Sequence, residues 1–505
     1  MTRRFVAPLV VAATVVAGCN VGPPYQRPQL PEPAPSQYKE NQPGSQEAQS
    51  NGWRPANPQD AMIRGKWWDV FGDAELNALE EQVLVNNQTI KQSFENYMAA
   101  LAVIDSARAT QFPTVSVGLN ASASGSNGAS SATTVTGTGG APTSAAVVSS
   151  GTRHTVSLPV SASWEPDLFG KVRNTIEANV NAAQVSAATL ANETLSQQAT
   201  LAETYFELRG QDSLQALFAQ TVSDYQESLR LTQTLYRTGI DSEQDVAQAE
   251  TALRTAEANA TAVERARAQF EHAIALLTGH AAGSFSVPVR ALDATPPQVP
   301  TGVPSQLLER RPDIAGAERA MAEANARIGV GKAAYYPDVS LIGSAGIQSS
   351  SVVKLLSASM FFWSLGGSAA QTVLDFGARR AAVRQFEAEY NASVANYRET
   401  VLNAFKEVED DLAATRTLAD QTARQQLAVT ASQRYQQLAS IRYRDGLDNY
   451  LNVLTAQNSV FTSLEAMVGL QTDRMTTAVQ LIVALGGGWD VSDLPAPATL
   501  RAIRR

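Results

Sequence analysis

Two proline-free intervals of equal length constrain this chain more than any other feature of its sequence. Gly170 and Gly239 lie 69 residues apart, and so do Gly377 and Gly446. Between the first pair there is one glycine, Gly210, and between the second pair there is none. Both intervals end on the same tetrad, Tyr-Arg-X-Gly, and another glycine follows each of them 40 residues later. The chain therefore contains an internal duplication at an offset of 207 residues.

Each interval predicts a single, very long helix. The residues between the bounding glycines are rich in Ala, Gln, Leu and Glu, and a run of about 66 such residues would form a helix roughly 100 Å long. A helix of that length must pack along other long helices, either in this chain or in neighbouring subunits. The chain is therefore predicted to hold two copies of an elongated unit instead of several compact domains.

Shorter helices are predicted on either side of each long one. They cover about 88–110 and 241–278 in the first copy, and about 312–334 and 448–485 in the second. In each copy the two shorter helices together are about as long as the long helix, so they are predicted to stack end to end and run antiparallel to it. Residues 288–304 hold five prolines and are predicted to form a non-helical crossover between the copies.

The start of the first long helix carries two apolar stripes. One consists of Ala178, Ala182 and Val185, and the other of Val180, Ala183, Ala187 and Leu190. Two narrow stripes suit a helix with one neighbour on each side, as in the wall of a helical cylinder. A single wide stripe would instead indicate an ordinary bundle.

Four segments alternate apolar with small polar residues, which is the pattern of a strand with two different faces. These segments are 114–123, 155–164, 339–348 and 361–374. Residues 125–152, between the first two, are rich in Gly, Ser, Thr and Ala and are predicted to form a long exposed loop.

Strands of about ten residues with one apolar face are typical of the wall of a transmembrane β-barrel. Aromatic residues stand near their ends: Phe112, Trp164, Tyr336 and Trp363. The alternative is a half-buried hairpin of a soluble protein, but the second face carries small polar residues instead of charged ones. Because four strands cannot close a barrel and lipid does not tolerate open edges, the pattern predicts a barrel shared between two, three or four subunits.

The N-terminus predicts a lipoprotein signal peptide over residues 1–18. A basic start, a short apolar stretch and small residues precede Cys19, which resembles the lipobox of bacterial lipoproteins. Cys19 is therefore predicted to be acylated, the alternative being an ordinary signal peptide with an incidental cysteine. Asn20 is not the Asp that commonly retains such lipoproteins at the inner membrane, so the predicted location is the outer membrane of a Gram-negative bacterium, with the body extending into the periplasm.

The composition argues against several classes of function. The formal charge of −9 gives no support for a nucleic-acid partner. A single cysteine excludes an internal disulfide. The three histidines, His154, His272 and His280, lack the spacing of metal ligands, and Ser368 lies in a predicted strand instead of a nucleophile elbow. The sequence thus predicts no catalytic residue, no metal site and no cofactor, apart from the lipid on Cys19.

Several motifs in collinear order resemble the outer-membrane efflux lipoproteins of the NodT type, which are relatives of TolC. They are Cys19-Asn-Val-Gly-Pro-Pro-Tyr25-Gln-Arg-Pro28, Trp67-Trp68 with Phe71-Gly-Asp73, Arg310-Arg-Pro-Asp-Ile314, and the two Tyr-Arg-X-Gly turns. The resemblance covers essentially the whole mature chain. It implies an α+β membrane protein: a homotrimer whose twelve-stranded β-barrel, with four strands per protomer, is continued by a long α-helical barrel.

The resemblance also implies a function and partners. Such a trimer is the exit duct of a tripartite efflux pump, in which a periplasmic membrane-fusion adaptor and an inner-membrane transporter, proton-driven, are the partners. Outer-membrane lipid surrounds the barrel. Two other readings stay open: a structural or adhesive trimeric coiled coil, which would leave the hairpins unexplained, and a duct for metal ions, proteins or signalling molecules.

The two Tyr-Arg-X-Gly turns are predicted to be short helix–helix connections. Gly239 and Gly446 can adopt the left-handed conformation that ends a helix, and Asp241 and Asp448 can cap the helix that follows. The resemblance implies that these turns form a closed tip at the far end of the tunnel, where the adaptor docks.

Individual residues at the tip take roles by resemblance. The docking turns are Gly239-Ile240 and Gly446-Leu447, the inter-coil hydrogen bond is formed by Asp245 and Tyr443, and a constricting apolar ring is formed by Leu451. Asn452 and Thr455 stand where relatives carry acidic rings, so strong cation selectivity is not expected. The alternative is that Asp245 and Tyr443 are a capping pair without a role in gating.

The predicted divisions of the chain follow from these assignments. They are the signal peptide (1–18), an extended N-terminal tether (19–72), repeat 1 (73–285), the crossover (286–304), repeat 2 (305–487) and a C-terminal tail (488–505).

Overall fold

The computed structural model describes residues 20–29, 35, 38–40, 65–126, 131–135, 143–147, 151–299, 310–350 and 361–501. The predicted signal peptide and Cys19 lie outside these residues, as do parts of the predicted tether, loop, crossover and tail.

The helices and strands follow in the order that the sequence pattern predicts. The α-helices are α1 (Ala74–Asn86), α2 (Gln88–Ala109), α3 (Lys171–Arg237), α4 (Glu243–Leu277), α5 (Pro312–Ala333), α6 (Ala378–Arg444), α7 (Tyr450–Ala484) and α8 (Pro497–Arg501). The β-strands are β1 (Thr114–Val117), β2 (Asn120–Ser126), β3 (Ser131–Val135), β4 (Thr143–Val147), β5 (Gly151–Trp164), β6 (Asp338–Ser349) and β7 (Phe361–Ala370).

The two long helices are confirmed, and the duplication fixes their ends. Helices α3 and α6 each contain 67 residues, and both begin directly after a left-handed glycine, Gly170 or Gly377. The offset of 207 residues relates their first residues and their last residues alike. It also relates α4 to α7, which contain 35 residues each. The two repeats therefore have the same helix lengths as well as similar sequence.

Four layers of helix form one wall, and each strand continues the line of a helix. Helix α3 packs against α2 and α5 in the half nearer the sheet, and against α4 and α7 in the half farther from it. Helix α6 packs against α5 and α7. The strands pair in the matching order, β1 and β2 with β5, then β6, then β7. The central position of α3 confirms the neighbour on each side that its two stripes predict.

The end-to-end stacking of the shorter helices is confirmed by equivalent contacts at two joints. In repeat 1 the Asn87 side chain, which also caps α2, donates a hydrogen bond to the last helical carbonyl of α4, that of Leu277, at 3.0 Å. In repeat 2 the Arg311 guanidinium donates to the last carbonyl of α7, that of Ala484, at 3.0 Å. Each side chain satisfies a carbonyl that the helix itself leaves unpaired.

Most of the apolar residues of the strands fall on one face of the sheet, although Ile342 and Phe362 lie on the other. The register places Val117 opposite Val160, Val160 opposite Ala345, and Ala345 opposite Trp363. On the other face, hydroxyl groups pair across the strands. The pairs are Thr114 with Ser163 at 2.8 Å, Ser340 with Ser368 at 2.7 Å, and Ser344 with Ser364 at 2.8 Å.

Two details of the first hairpin differ from the prediction. The strand predicted over residues 114–123 is divided at Gly118 because it faces Pro159, which has no N–H to donate, although the register is the same on both sides. The loop predicted over 125–152 contains the antiparallel pair β3 and β4, and β5 starts at Gly151. The Thr and Val residues of these two strands favour extended structure.

Two non-helical segments are held on the long helices by arginines at equivalent positions. Arg209 on α3 donates to the carbonyl of Pro288 in the crossover at 2.6 Å and to Asp212 at 2.8 Å. Arg416, 207 residues later on α6, forms a 2.8 Å ion pair with Glu40 of the N-terminal tether. The tether and the crossover are therefore attached to corresponding helices by the same residue type.

The predicted tether is not extended throughout. Residues Trp67–Phe71 form a short 3-10 helix, and the side chains of Trp67 and Trp68 are buried in the largest apolar cluster. Burial of a large indole ring is strongly favourable, and an extended segment on the surface would leave both rings in water. Within the described part of the chain, no helix combines the length and the apolar content that crossing a bilayer requires.

Gly210, the single glycine inside α3, allows close contact between two helices. A Cβ atom at this position would lie 2.5 Å from the Oγ1 atom of Thr472 on α7. That distance is shorter than any ordinary contact, so the absence of a side chain sets the spacing between α3 and α7.

We expect Gly210→Ala to lower the melting temperature of the purified protein, although Gly to Ala inside a helix normally stabilises by about 1 kcal/mol. The clash with Thr472 reverses the sign, so Thr472→Ala in the same chain should restore stability. Gly469→Ala on α7 is the matched control, because nothing lies within 4 Å of its added Cβ. A melting temperature that rises in Gly210→Ala as it does in Gly469→Ala would contradict this account.

Candidate functional site

The first tip turn, between α3 and α4, is a Schellman motif. Gly239 has a φ of +78°, which a residue with a side chain adopts at a cost. Its N–H donates to the carbonyl of Tyr236 at 3.0 Å, and the N–H of Ile240 donates to that of Leu235 at 2.9 Å. These two bonds close the helix in the pattern that this motif defines.

The second tip turn, between α6 and α7, repeats the same bonds. Gly446 has a φ of +67° and donates to the carbonyl of Tyr443 at 3.0 Å, while Leu447 donates to that of Arg442 at 2.8 Å. The apolar residue after the glycine is exposed in both turns, Ile240 to 65% and Leu447 to 67%. The tip of the chain thus presents two equivalent apolar side chains to solvent.

The predicted capping residues, Asp241 and Asp448, are wrong by one position. The N-cap of α4 is Ser242 and that of α7 is Asn449, and both have the extended backbone that an N-cap adopts. The Ser242 hydroxyl accepts from the N–H of Asp245 at 3.3 Å, and the Asp245 carboxylate accepts from the N–H of Ser242 at 3.2 Å. This capping box leaves Asp241 available for another partner.

Asp241 is the acceptor of the buried tyrosine Tyr443. The phenol is 3% exposed, donates to the Asp241 carboxylate, and lies 3.1 Å from the Thr232 hydroxyl. The expectation that Asp245 accepts this hydrogen bond is wrong, because its carboxylate is engaged in the capping box. Burial, and then the hydrogen bond to Asp241, raise the pKa of Tyr443, so the phenol keeps its proton and remains a donor.

The corresponding contact is not repeated in the other copy. Tyr236 occupies the position equivalent to Tyr443 but is 45% exposed. Asp448, equivalent to Asp241, accepts from Asn452 and from Arg442, the latter at 3.2 Å. The Asn452 amide is the main cause of the lowered pKa of Asp448. The hydrogen bond between the two repeats is therefore asymmetric, and it holds the end of α6 against the turn of repeat 1.

The predicted constriction residues lie on the first turns of α7. Leu451 is 49% exposed, and the Thr455 hydroxyl donates to its carbonyl at 2.8 Å. Both residues line a cavity of about 390 Å³ together with Phe218 and Phe461, whose rings are 4.9 Å apart. Asn452 lies on another side of the helix, where it contacts Asp448. The structure thus separates Asn452 from the other two.

Sequence reasoning missed Asp241 and Thr232 as the partners of Tyr443. One local signal could have identified the first of them: Ser242 and Asp245 have the spacing of a capping box, which assigns the cap to Ser242 and frees Asp241. Thr232 gives no such signal, since it is one of many Thr residues along α3. Within the part of the chain that the structure describes, no group of three or more His, Cys, Asp and Glu side chains could hold a metal ion.

The tip, the wall of helices and the one-sided sheet coincide with a known architecture. A family model described as "Outer membrane efflux protein" matches residues 79–280 and 303–487, which is more than half of the chain and one match for each repeat. The chain belongs to the outer membrane efflux protein family. Members of this family form the outer-membrane duct of efflux systems, and this chain is such a duct in the outer membrane of a Gram-negative bacterium.

Curated relatives match this efflux protein over nearly its whole length. It is 32% identical to the probable efflux pump outer membrane protein TtgC of Pseudomonas putida, over 97% of this chain and 96% of the relative. It is 31% identical to outer membrane protein OprJ of Pseudomonas aeruginosa, over 96% of each chain.

Solved structures show the same fold. The outer-membrane channel OprN aligns with a TM-score of 0.79 and 27% identity, covering 93% of this chain and 100% of OprN. The open state of the MtrE outer membrane channel of Neisseria gonorrhoeae aligns with a TM-score of 0.76 and 25% identity, covering 94% and 99%.

Proposed function

We propose that three copies of this efflux protein form one passive exit duct, in which a twelve-stranded barrel continues into a twelve-helix tunnel. The duct carries out no catalytic step and needs no cofactor. A periplasmic membrane-fusion adaptor and a proton-driven inner-membrane transporter deliver the cargo. The observation that carries this proposal is the wall of four strands above four helix layers, since this shape conducts only after several copies close it into a cylinder.

The two edges of the wall support closure by further copies. β1 and β2 lie at one end of the sheet order and β7 at the other, so the edges of the sheet are open within one chain. The helices below these edges carry exposed apolar residues, with Phe94 at 46% and Val103 at 52% on α2, and Leu402 at 56% and Leu427 at 72% on α6. Packing of the α2 face of one copy against the α6 face of the next would bury both sets of apolar residues. Such contact between two different faces is a heterologous interface, which can close a ring.

The apolar face of the sheet supports its placement in lipid. Val115 is 68% exposed, Trp363 72% and Leu365 81%, although all three belong to the apolar face. A row of exposed apolar side chains on a sheet whose other face is polar is the pattern of a barrel wall with lipid outside and water inside.

We propose small apolar organic molecules as the cargo. Relatives at 31–32% identity carry the names "Toluene efflux pump outer membrane protein TtgC" and "Antibiotic efflux pump outer membrane protein ArpC". The constriction around Leu451 and Thr455 is uncharged. An apolar molecule can pass it without losing hydration, whereas an ion would lose hydration there and find no charged partner.

The hydrogen bond from Tyr443 to Asp241 is the proposed latch of the tip. It joins α6 of repeat 2 to the turn of repeat 1, so its loss frees the α6–α7 hairpin from its neighbour. Tyr443 is buried and Asp241 is half-buried, so a carboxylate that lost this donor would add to the cost of closure.

We expect the double variant Tyr443→Phe with Asp241→Asn to raise single-channel conductance several-fold in a planar bilayer. Phenylalanine keeps the ring contact with Tyr450, at 5.7 Å between centroids, so the change isolates the hydrogen bond. Tyr236→Phe is the matched control because it is the same substitution at the equivalent, exposed position of repeat 1. Equal conductance in wild type and double variant would show that this hydrogen bond does not hold the tip closed. No current from either, in folded and inserted protein, would contradict the duct itself.

Ile240 and Leu447 are the proposed adaptor contacts, because they are exposed apolar residues on two rigid and equivalent turns. We expect the wild-type chain to restore toluene tolerance to Pseudomonas putida lacking TtgC. Ile240→Asp with Leu447→Asp should abolish that tolerance and leave bilayer conductance unchanged. Val289→Asp, at a site that is 63% exposed in the crossover, is the control and should retain tolerance. Full tolerance in the double variant would place docking elsewhere.

The acyl anchor on Cys19 is a proposal supported by the position of the residue that follows it. Asn20 accepts a hydrogen bond from Asn174, near the start of α3, at 2.8 Å. Farther along the tether, Arg27 donates to the Tyr397 hydroxyl at 2.9 Å. The tether is thus attached to the helices by its own contacts, and the lipid is needed only for anchoring.

We expect Cys19→Ser to leave the melting temperature and the trimer unchanged while the protein is extracted from membranes at lower detergent concentration. Size-exclusion chromatography and a detergent titration measure the two effects separately. Loss of the trimer in this variant would show that the lipid is needed for assembly.

A further inference from the structure

A cavity of about 610 Å³ lies where the helical wall meets the sheet, beside the point at which the predicted lipid anchor is attached. Its walls come from α2, α3 and α5, with the start of the tether on one side and the C-terminal helix α8 on another. Asn20, which directly follows Cys19, is one of the lining residues.

Aromatic residues place this cavity at the edge of the membrane. Phe112 lines it and is 57% exposed, two residues before the first strand begins. The Trp164 indole, at the end of β5, donates to the carbonyl of Gln111 at 2.9 Å, and the rings of Phe169 and Tyr336 stack at 4.8 Å. Such a belt marks the level of the lipid headgroups in membrane proteins.

Four arginines from four different helices converge on the cavity. They are Arg108 of α2, Arg173 of α3, Arg319 of α5 and Arg501 of α8. The single carboxylate among the described lining residues is that of Glu177, which pairs with Arg501. Guanidinium groups therefore outnumber carboxylates by four to one among the described lining residues.

Carboxylates hold the other guanidinium groups in place without lining the cavity themselves. Arg108 pairs with Asp105 at 3.1 Å, Arg173 with Asp167 at 3.0 Å, and Arg319 with Glu318 at 3.5 Å. Each of these planar groups is therefore oriented before any ligand arrives. Oriented guanidinium groups are suited to phosphate oxygens, which they can bind with two parallel hydrogen bonds.

We infer that this cavity binds the phosphate of an anionic phospholipid headgroup from the periplasmic leaflet of the outer membrane. Its volume is within the range of ordinary ligand sites, and a basic pocket between helices at the membrane edge is the known form of a headgroup site. The bound lipid joins the tether, the wall and the C-terminal helix at one level. The inference rests on the outer-membrane location and does not depend on the latch at the tip.

The test measures lipid retention by native mass spectrometry on the purified full-length mature protein. Phosphatidylglycerol and phosphatidylethanolamine with the same acyl chains are added separately. We expect preferential retention of phosphatidylglycerol by the wild type, and a drop of at least five-fold in Arg319→Gln with Arg501→Gln. Arg254→Gln with Arg434→Gln, which removes the same charge from exposed positions on α4 and α6, is the control and should retain the lipid as the wild type does.

Two further measurements keep the inference open to refutation. A photoreactive phosphatidylglycerol should label peptides that line the cavity in the wild type, a result that does not depend on the stability of any variant. Soluble glycerol 3-phosphate should fail to displace the lipid at an equal concentration. Equal retention of the two lipids, labelling elsewhere, or full displacement by glycerol 3-phosphate would overturn the assignment. Bilayer conductance of the same variants reports on the duct independently.

Discussion

The lateral packing of the two 67-residue helices is the interaction on which the rest of the structure depends. Most of the stability of a helix in a protein comes from the packing of its apolar face, so α3 and α6 need neighbours over their whole extent. The shorter helices supply these neighbours only because they stack end to end, and the contacts of Asn87 and Arg311 close the two joints. Gly210 then sets how closely one of these neighbours approaches.

The order of the helices also determines the order of the strands. Each helix that reaches the membrane end continues into the strand above it, so the sheet inherits the sequence of neighbours that the wall imposes. A register shift of one residue would turn every apolar side chain to the opposite face. Cross-strand hydroxyl pairs such as Ser344 with Ser364 oppose that shift. The same packing that orders the helices therefore positions the apolar face of the sheet.

The two repeats share one frame of helices and turns but differ in particular side-chain contacts. The two tip turns have the same hydrogen bonds, yet only Tyr443 is buried against the other repeat, while Tyr236 is exposed. The arginines Arg209 and Arg416 occupy equivalent positions but hold different segments, the crossover and the tether. A strictly symmetric pair of repeats would instead bury both tyrosines or expose both.

The sequence by itself determined the helices, the strands and their faces, because these depend on local periodicity, on proline and on glycine at helix ends. It also determined the two turns, and it predicts the lipoprotein start. Only the tertiary structure decided which side chains meet across the repeats. The acceptor of Tyr443 is Asp241 because Ser242 and Asp245 satisfy each other, and the four arginines at the membrane edge come from helices far apart in the chain. Such contacts depend on the distance between elements, which periodicity does not encode.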